Sequence, residues 1–239
     1  MNLTVDIGNS LTKMAVFEGK TLQRLLIVKH AKQDYFQFLL DEFPIDKCII
    51  SSVQQHEPQD FAFLPDFVSL HIINKDTLLP FENHYKSPNT LGNDRKALVS
   101  GGIYLFPGRP VLIISAGTAI TYDFADNEGR YYGGAISPGI HLRFKALNTF
   151  TGKLPLAHYQ DMDEVTGKTT EQSIASGVMT GIAGEMLHFI NLYKANRKNL
   201  TILLTGGDAK HFDKTLKNNI FAIPNLTLVG LNEIIELNV

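Results

Sequence analysis

The sequence predicts a mixed α/β fold built from two similar halves, and three observations support this prediction. Apolar, β-branched runs recur along the chain with helix-compatible stretches between several of them, a pattern typical of α/β proteins. Of the 239 residues, 44 % are hydrophobic, which is enough for a substantial core. A segment near the N-terminus also returns in similar form near the middle of the chain, which indicates a duplication.

The predicted strands are short runs rich in valine, isoleucine and leucine. In chain order they are NLTVDIG, TKMAVFEG, QRLLIVKH, KCIISSV, DFVSLHII, RPVLIISAG, AITYDF, LTILLTGG and LTLVGL. One long helix is predicted from about Thr170 to Lys194, because apolar residues recur there at steps of three and four residues. Three glycines on this helix would let another backbone approach closely: Gly177, Gly181 and Gly184.

Charge and cysteine content exclude several classes of protein. The 22 lysines and arginines nearly balance 24 acidic residues, for a formal net charge of -2, which disfavours nucleic acid and membrane surfaces as partners. No apolar run reaches the roughly 18 residues of a membrane span. The N-terminal MNLTVDIGNS lacks the regions of a signal peptide, so we expect a cytoplasmic protein. The single cysteine, Cys48, excludes an internal disulfide and is expected to be buried.

The internal repeat aligns residues 5–12 with residues 114–121 without gaps, so that Asp6 matches Ser115 at an offset of 109 residues. Each copy is an apolar strand, a glycine-containing turn with hydroxyl groups, and a second strand. We interpret the repeat as two halves, residues 1–109 and 110–239, that face each other across a cleft. For so short a segment, a chance match is the alternative.

The first copy has the residue types of a phosphate-binding turn. Gly8 permits a tight turn whose backbone N–H groups can face phosphate oxygens. Asp6, at the end of the strand, can hold magnesium directly or through water. Neutral donors and one positive charge follow: Asn9, Ser10, Thr12 and Lys13. An ordinary hairpin with a solvated lysine fits this motif equally well, but a nucleotide held between two hairpins would explain the second copy.

A third motif follows the apolar run Leu200 to Leu204, where the sequence reads Thr205-Gly206-Gly207-Asp208-Ala209. Paired glycines at the carboxyl end of a strand allow a flat ring or a ribose to lie against the backbone. A simple strand-to-helix turn is the alternative. The dinucleotide motif G-x-G-x-x-G, the zinc motif H-E-x-x-H and the nucleophile elbow G-x-S-x-G are all missing.

Further motifs occur in order along the chain. They are DIGNS (residues 6–10) with Lys13, Tyr85, LGNDR (91–95), GTAITYD (117–123) and GGAISPG (133–139), followed by Leu154-Pro155, Thr170 and TGGD (205–208). Together they resemble the ordered motifs of the type III pantothenate kinase family. The resemblance covers nearly the whole chain, so it is far more specific than any single motif.

The resemblance implies the fold of the acetate and sugar kinase, Hsp70 and actin superfamily: two actin-like (ribonuclease H-like) halves with mixed sheets, flanking helices and a nucleotide cleft between them. It implies transfer of the ATP γ-phosphate to the 4′-hydroxyl of pantothenate, the first step of coenzyme A biosynthesis, by a homodimer. The ATP phosphates would contact Asp6, Ile7, Gly8, Asn9, Ser10, Leu11, Thr12, Lys13 and Thr118. Pantothenate would contact Tyr85, Gly92, Asn93, Asp94, Arg95 and the partner subunit's Thr170.

In the family, Asp94 would be the proton acceptor, and the chemistry independently favours it. Phosphoryl transfer needs positioning, charge neutralisation and one group near the attacking hydroxyl that accepts its proton. Asp94 lies beside a glycine in the polar segment Glu82 to Arg95, which we expect to be a loop because it contains proline, glycine and three asparagines. Arg95 could hold the pantothenate carboxylate through two hydrogen bonds. A solvated turn with a surface ion pair is the alternative.

One position departs from the family pattern. The family usually has an aspartate just before x-Gly-Thr-Ala that helps to bind a monovalent cation, potassium or ammonium, whereas this chain has Ser115. A neutral hydroxyl is a poorer ligand for a hard cation than a carboxylate. The enzyme would therefore work without the cation, use another oxygen such as that of Asp123, or have weakened activity. We expect magnesium with ATP, and less stimulation by potassium than in relatives.

Two other functions stay open at this point. A nucleotide-binding regulatory homologue would keep the fold without catalysis, although it would not need a base beside a carboxylate-binding arginine. A kinase of the same fold that acts on another small acceptor is the other alternative.

Overall fold

The computed structural model describes residues 1–53, 56–160, 164–213, 216 and 220–239. The chain forms two compact units. The first comprises Met1–Gly108, Gly129–Tyr132 and Asn225–Val239, and the second comprises Arg109–Glu128 and Gly133–Pro224. The C-terminal segment is therefore grouped with the first unit, whereas the sequence assigned it to the half 110–239. The boundary between the two duplicated halves stays a prediction.

The first unit contains a five-stranded sheet with the order β3-β2-β1-β4-β5. β1 pairs antiparallel with β2 and parallel with β4, while β2 and β3 are antiparallel and β4 and β5 are parallel. Cys48 on β4 is fully buried, as predicted. The strands are β1 (Asn2–Ile7), β2 (Thr12–Glu18), β3 (Thr21–Val28), β4 (Lys47–Ser52) and β5 (Ser69–Ile72).

Alternating side chains of these strands enter two separate apolar clusters, as the period of two in a strand requires. On one face, Val5 and Ile50 pack with helix α1 (Gln33–Glu42). On the other face, Ala15 and Ile49 pack with helix α2 (Asn93–Leu105) and the C-terminal helix α5 (Leu226–Asn238).

The run LTLVGL, which the sequence analysis counted among the strands, lies in helix α5, so this prediction was wrong. Its buried residues continue beyond the run at helical spacing: Leu226, Leu228, Leu231, Ile234 and Ile235. Packing of this stripe on the sheet of the first unit therefore overrides the local preference of a short apolar run.

The second sheet has the order β11-β10-β7-β8-β9-β6. Its first five strands repeat the order of the first sheet, since β7 pairs antiparallel with β8 and parallel with β10. The two-residue β6 pairs with Arg130 and Tyr131, which belong to the first unit. The strands are β6 (Glu82–Asn83), β7 (Val111–Ala116), β8 (Ala119–Ala125), β9 (Arg130–Pro138), β10 (Thr201–Thr205) and β11 (Ile220–Ala222).

Two helices, α3 (Ile140–Thr149) and α4 (Thr170–Ala195), belong to the second unit. α4 confirms the predicted long helix, and the hydroxyl of Thr169 caps it by accepting from the N–H of Gln172 at 3.2 Å. Its apolar stripe packs against Leu112, Ile114 and Tyr122 of the sheet. Within the described ranges, no helix is both long and apolar enough to cross a membrane.

Candidate active site

The two copies of the internal repeat form β-hairpins with the same strand pairing but different turn lengths. In the first hairpin Asp6 lies opposite Lys13, and four residues separate Ile7 from its partner Thr12. In the second hairpin, three residues separate Ala116 from its partner Ile120. The gapless sequence alignment therefore hides a shift of one residue in register.

The first hairpin presents only part of the predicted phosphate site to solvent. Its turn is closed by a hydrogen bond from the Gly8 N–H to the Leu11 carbonyl at 3.1 Å. Asn9, Ser10 and Leu11 are exposed, and Ile7, Gly8 and Lys13 are partly buried. Thr12 is only 1 % exposed, so its side chain is covered by protein in this structure.

Asp6 and Asp94 both belong to the first unit, and the Asp94 carboxylate is close enough to influence the pKa of Asp6. Burial raises the pKa of Asp6 to about 6, and the Asp94 carboxylate adds to this effect, while Lys13 and a hydrogen bond from Ser51 act in the opposite direction. Magnesium prefers carboxylate and water oxygens, and its charge would relieve the repulsion between the two carboxylates. The residues around Asp6 therefore fit a magnesium ion that accompanies a nucleotide.

Asp94 lies in the first turn of α2 and not in a loop. The segment predicted as a loop, Glu82 to Arg95, contains β6, a short 3-10 turn at Pro88–Thr90 and the start of this helix. An acidic residue in a first helical turn interacts favourably with the helix dipole. Gly92 caps the helix, and a Cβ added to it would lie 2.5 Å from Oδ1 of Asp94. The Asp94 carboxylate therefore occupies the space that a side chain at position 92 would need.

Arg95 is buried, with 5 % of its surface exposed, which excludes the alternative of a solvated turn. Its guanidinium lies over the rings of Tyr85 and Tyr131, 5.4 and 6.0 Å from their centroids. Stacking on aromatic faces orients a guanidinium. Tyr85 and Arg95 are among the residues predicted from the sequence, whereas Tyr131, two residues before the GGAISPG motif, is not.

Asn93 connects this site to a pocket of about 700 Å³ in the first unit. Lys96 donates from Nζ to Oδ1 of Asn93 at 3.2 Å and to the carbonyl of Asn74 at 3.0 Å. Burial lowers the pKa of Lys96. This pocket could not be predicted from a local sequence pattern, because its lining comes from distant segments: Ser52, His56, Glu57, Pro58, Leu70, His71, Ile72, Ile73, Asn74 and Asn93.

The second hairpin holds Ser115 and Thr118 in the second unit. Ser115 lies opposite Thr121 on β8 and opposite Thr205 on β10. Asp123 is fully buried and lies on the same sheet face as Ser115 and Thr121, two residue pairs further from the turn. The oxygens nearest to Ser115 in register are therefore neutral hydroxyls. In the part of the chain that the structure describes, no cluster of three or more histidine, cysteine, aspartate or glutamate side chains could hold a metal.

Two further motifs, TGGD and GGAISPG, pack closely against this hairpin at glycine residues. A Cβ at Gly206, which has a φ of +97°, would lie 2.1 Å from the Ala116 carbonyl oxygen, and the N–H of Asp208 donates to that oxygen at 3.0 Å. A Cβ at Gly134 would lie 1.5 Å from the carbonyl oxygen of Tyr122. The Gly133-Gly134 pair is therefore part of a strand that closely approaches β8 and not a turn.

Thr170 is the first residue of α4 and is exposed. It belongs to the second unit, as do Thr118 and Ser115, whereas Asp6, Asp94 and Arg95 belong to the first.

The chain is similar to known proteins in sequence and in fold. The family model for type III pantothenate kinase matches residues 2–191. A type III pantothenate kinase from Christiangramia forsetii is 42 % identical over 240 residues, covering 100 % of this chain and 99 % of the relative. The corresponding protein from Cytophaga hutchinsonii is 41 % identical over 239 residues and is covered completely, as is this chain.

Among solved structures, the activator of 2-hydroxyisocaproyl-CoA dehydratase from Clostridium difficile with bound ADPNP matches with a TM-score of 0.54 and 10 % identity, over 98 % of this chain and 93 % of that one. Component A of the Acidaminococcus fermentans (R)-2-hydroxyglutaryl-CoA dehydratase gives a TM-score of 0.53 at 10 % identity, over 98 % and 95 % of the two chains. At such identities these matches show the fold alone.

The two sheets of matching strand order and these solved structures show the actin-like fold. The full-length relatives, which are all type III pantothenate kinases, define the class of protein as an ATP-dependent kinase. Within that class, the chain belongs to the type III pantothenate kinase family. The fold class and the family expected from the motifs are thus confirmed.

Proposed function

We propose that this protein transfers the γ-phosphate of ATP to the 4′-hydroxyl of pantothenate, with Asp94 as the proton acceptor. The observation that carries the proposal is the grouping of Asp94, Asp6 and Arg95 in the first unit. Asp94 lies over Gly92 at the start of α2, it interacts with Asp6, and Arg95 is buried beside two tyrosines.

The ATP phosphates would be bound by residues 6–13 of the first hairpin and by Thr118 of the second. The exposed turn around Ser10 offers backbone N–H groups and a hydroxyl, and Lys13 supplies a positive charge. Asp6 would hold magnesium directly or through water, and the ion would supply charge neutralisation for the phosphates. Ser115 is a poor ligand for the family's monovalent cation, so we propose that the activity depends at most weakly on potassium.

Pantothenate would be oriented by its carboxylate. The positive charge of Arg95, whose guanidinium lies over Tyr85 and Tyr131, would attract that carboxylate. Gly92 and Asn93 lie at the start of the same helix and would line the acceptor site. Asp94 would then accept the hydroxyl proton as the oxygen attacks the γ-phosphorus, which general-base catalysis requires.

We also propose that the enzyme acts as a homodimer, in which the partner subunit's Thr170 completes the pantothenate site. The exposed position of Thr170 at the start of α4 supports this proposal. The glycine face of the same helix also supports it, because a Cβ at Gly177, Gly181 or Gly184 would have no described atom within 4 Å apart from its chain neighbours and the adjacent backbone of its own helix. A cytoplasmic location is proposed from family membership.

The test is an ATP-dependent assay on pantothenate, with mass detection of the phosphorylated product. Asp94→Asn should lower kcat by about 10²–10⁴-fold, because the base is lost while its size is kept. Asp66→Asn, which changes an exposed carboxylate of the same unit, is the control and should keep parental activity. Parental turnover in Asp94→Asn would remove Asp94 as the base. Phosphorylation of another acceptor, with no phosphorylation of pantothenate, would instead favour a kinase of different specificity.

The same assay with and without potassium tests the consequence of Ser115. We expect only weak stimulation, because the carboxylate of the family's cation site is replaced by a neutral hydroxyl. A strict requirement for potassium would contradict this expectation.

A further inference from the structure

Glu185 of α4 is the centre of a hydrogen-bonded group within the second unit. Its Oε1 accepts from the hydroxyl of Tyr122 at 2.8 Å and from the hydroxyl of Ser137 at 2.5 Å. Its Oε2 accepts from a terminal nitrogen of Arg143 at 2.5 Å. The three donors lie on β8, β9 and α3, so one carboxylate on α4 joins four elements.

Arg143 extends this group to the turn of the second hairpin. Its Nε donates to the carbonyl of Pro138 at 2.8 Å. The next residue, Gly139, donates from its N–H to the Thr118 carbonyl at 3.1 Å. A Cβ at Gly139 would lie only 2.0 Å from the carbonyl oxygen of Gly117. The backbone at Pro138–Gly139 therefore rests directly on the Gly117–Thr118 turn.

The charge of Glu185 is matched to its donors. Burial opposes the charge, but hydrogen bonds from Ser137, Arg143 and Tyr122 outweigh burial and hold the pKa of Glu185 below its usual value. Burial and the neighbouring Glu185 raise the pKa of Tyr122, which therefore remains a protonated donor. The Tyr122 ring is also stacked on Phe189, with 4.1 Å between centroids. Removing the carboxylate charge would leave donors on three elements poorly satisfied.

We propose that Glu185 is a positioning residue for the Gly117–Thr118 turn, which it holds in place through Arg143 and the Pro138–Gly139 backbone. This inference rests on the proposed function in one respect, namely that Thr118 contacts the ATP phosphates. Preorganised donors bind a phosphate without the cost of ordering the turn at each turnover. Glu185 thereby sets the affinity for nucleotide and leaves the affinity for pantothenate unchanged.

The first test is Glu185→Gln, which keeps the size of the side chain and removes its charge. We expect the affinity for a non-hydrolysable ATP analogue, measured by calorimetry, to fall about tenfold or more, because hydrogen bonds to charged groups are the stronger ones. The KM for ATP should rise by a similar factor, and the KM for pantothenate should stay within about twofold. The control is Glu164→Gln, which removes an exposed ion pair with Lys168 in the same unit and should behave like the parent.

The second test is Arg143→Lys, which keeps a positive charge beside Glu185 but loses the Nε donor to the Pro138 carbonyl. It should show the same selective loss of nucleotide affinity. If Glu185→Gln does not fold, the analogue affinity of Arg143→Lys tests the proposed role of Glu185 instead. Unchanged analogue affinity in either folded variant, or equal rises in both KM values together with a lower Tm, would overturn the inference. A parent protein that binds the analogue but does not phosphorylate pantothenate would refute the proposed function, and analogue affinity would still decide the role of Glu185.

Discussion

At the scale of single residues, the position of the proposed base, Asp94, depends on the absence of a side chain at Gly92. Gly92 has ordinary backbone angles, with φ of −57° and ψ of 140°, so any residue could adopt its conformation. Its importance comes from the Asp94 carboxylate oxygen, which would lie 2.5 Å from a Cβ at this position. Glycine is therefore needed here because the carboxylate of the proposed base requires the space that a side chain would fill.

Gly92→Ala should consequently separate catalysis from folding. The added methyl group would displace the Asp94 carboxylate, and a displacement of about 1 Å can cost on the order of 10²-fold in rate. We expect kcat to fall by about this factor, while thermal unfolding shifts little because alanine tolerates these backbone angles. Gly152→Ala is the matched control, since its Cβ would have no atom of the described chain within 4 Å. Parental kcat in Gly92→Ala would show that the carboxylate position is not critical.

The site residues that the sequence predicts are those whose chemistry is visible in a short motif. Asp6, Asp94 and Arg95 are charged, lie within three residues of a glycine in the sequence, and all belong to the first unit. Tyr131 and Glu185 could not be found in this way, because their roles arise from contacts with residues distant in sequence. The ring of Tyr131 under Arg95, and the carboxylate of Glu185 that contacts three other elements, produce no recognisable pattern in the sequence around them.

At the scale of elements, the contact between α2 and α5 connects the start of the active-site helix to the C-terminal helix of the same unit. A Cβ at Gly230 of α5 would lie 1.7 Å from the Ala97 carbonyl oxygen of α2, and one at Gly101 would lie 2.7 Å from the Leu226 carbonyl oxygen. The backbones of the two helices thus approach directly. The glycine in LTLVGL was a sign of this close approach, which the strand prediction for that run overlooked.

Gly230→Ala tests this helix contact. Alanine normally stabilises a helix by up to about 1 kcal/mol relative to glycine. Here it should instead lower the free energy of unfolding by about 1–3 kcal/mol, because overpacking against backbone atoms must push α2 and α5 apart. Denaturant unfolding followed by circular dichroism measures the change. Leu237→Ala, at a position of the same helix that is 46 % exposed, should change the free energy by no more than about 0.5 kcal/mol. A stabilised Gly230→Ala protein would contradict the close packing.

At the scale of the whole molecule, the duplication was readable from eight residues because both copies form the first hairpin of a sheet. The matching strand orders, β3-β2-β1-β4-β5 and β9-β8-β7-β10-β11, extend that repeat well beyond the aligned segment. The grouping of residues 225–239 with the first unit was not readable, since it depends on which sheet the last helix covers. Sequence periodicity identifies a buried helix face but not the surface that buries it.

The exposed glycine face of α4 provides a test of whether two subunits associate. Gly177, Gly181 and Gly184 lie along this face, and the described part of the chain covers none of them. In an isolated subunit these positions are exposed, so a larger side chain there would project from the protein surface. In the proposed homodimer it would obstruct the approach of a second backbone, so the effect of a substitution distinguishes the two states.

Gly181→Leu should therefore weaken the dimer and shift sedimentation velocity profiles toward the monomer at micromolar concentration. If the partner subunit's Thr170 completes the acceptor site, kcat/KM for pantothenate should fall with the dimer fraction and recover as protein concentration rises. Gln37→Leu, which places the same side chain on an exposed position of α1, is the control and should sediment like the parent. A fully dimeric and active Gly181→Leu protein would place the dimer contact elsewhere. A parent that is active as a monomer would remove the need for Thr170 from a second subunit.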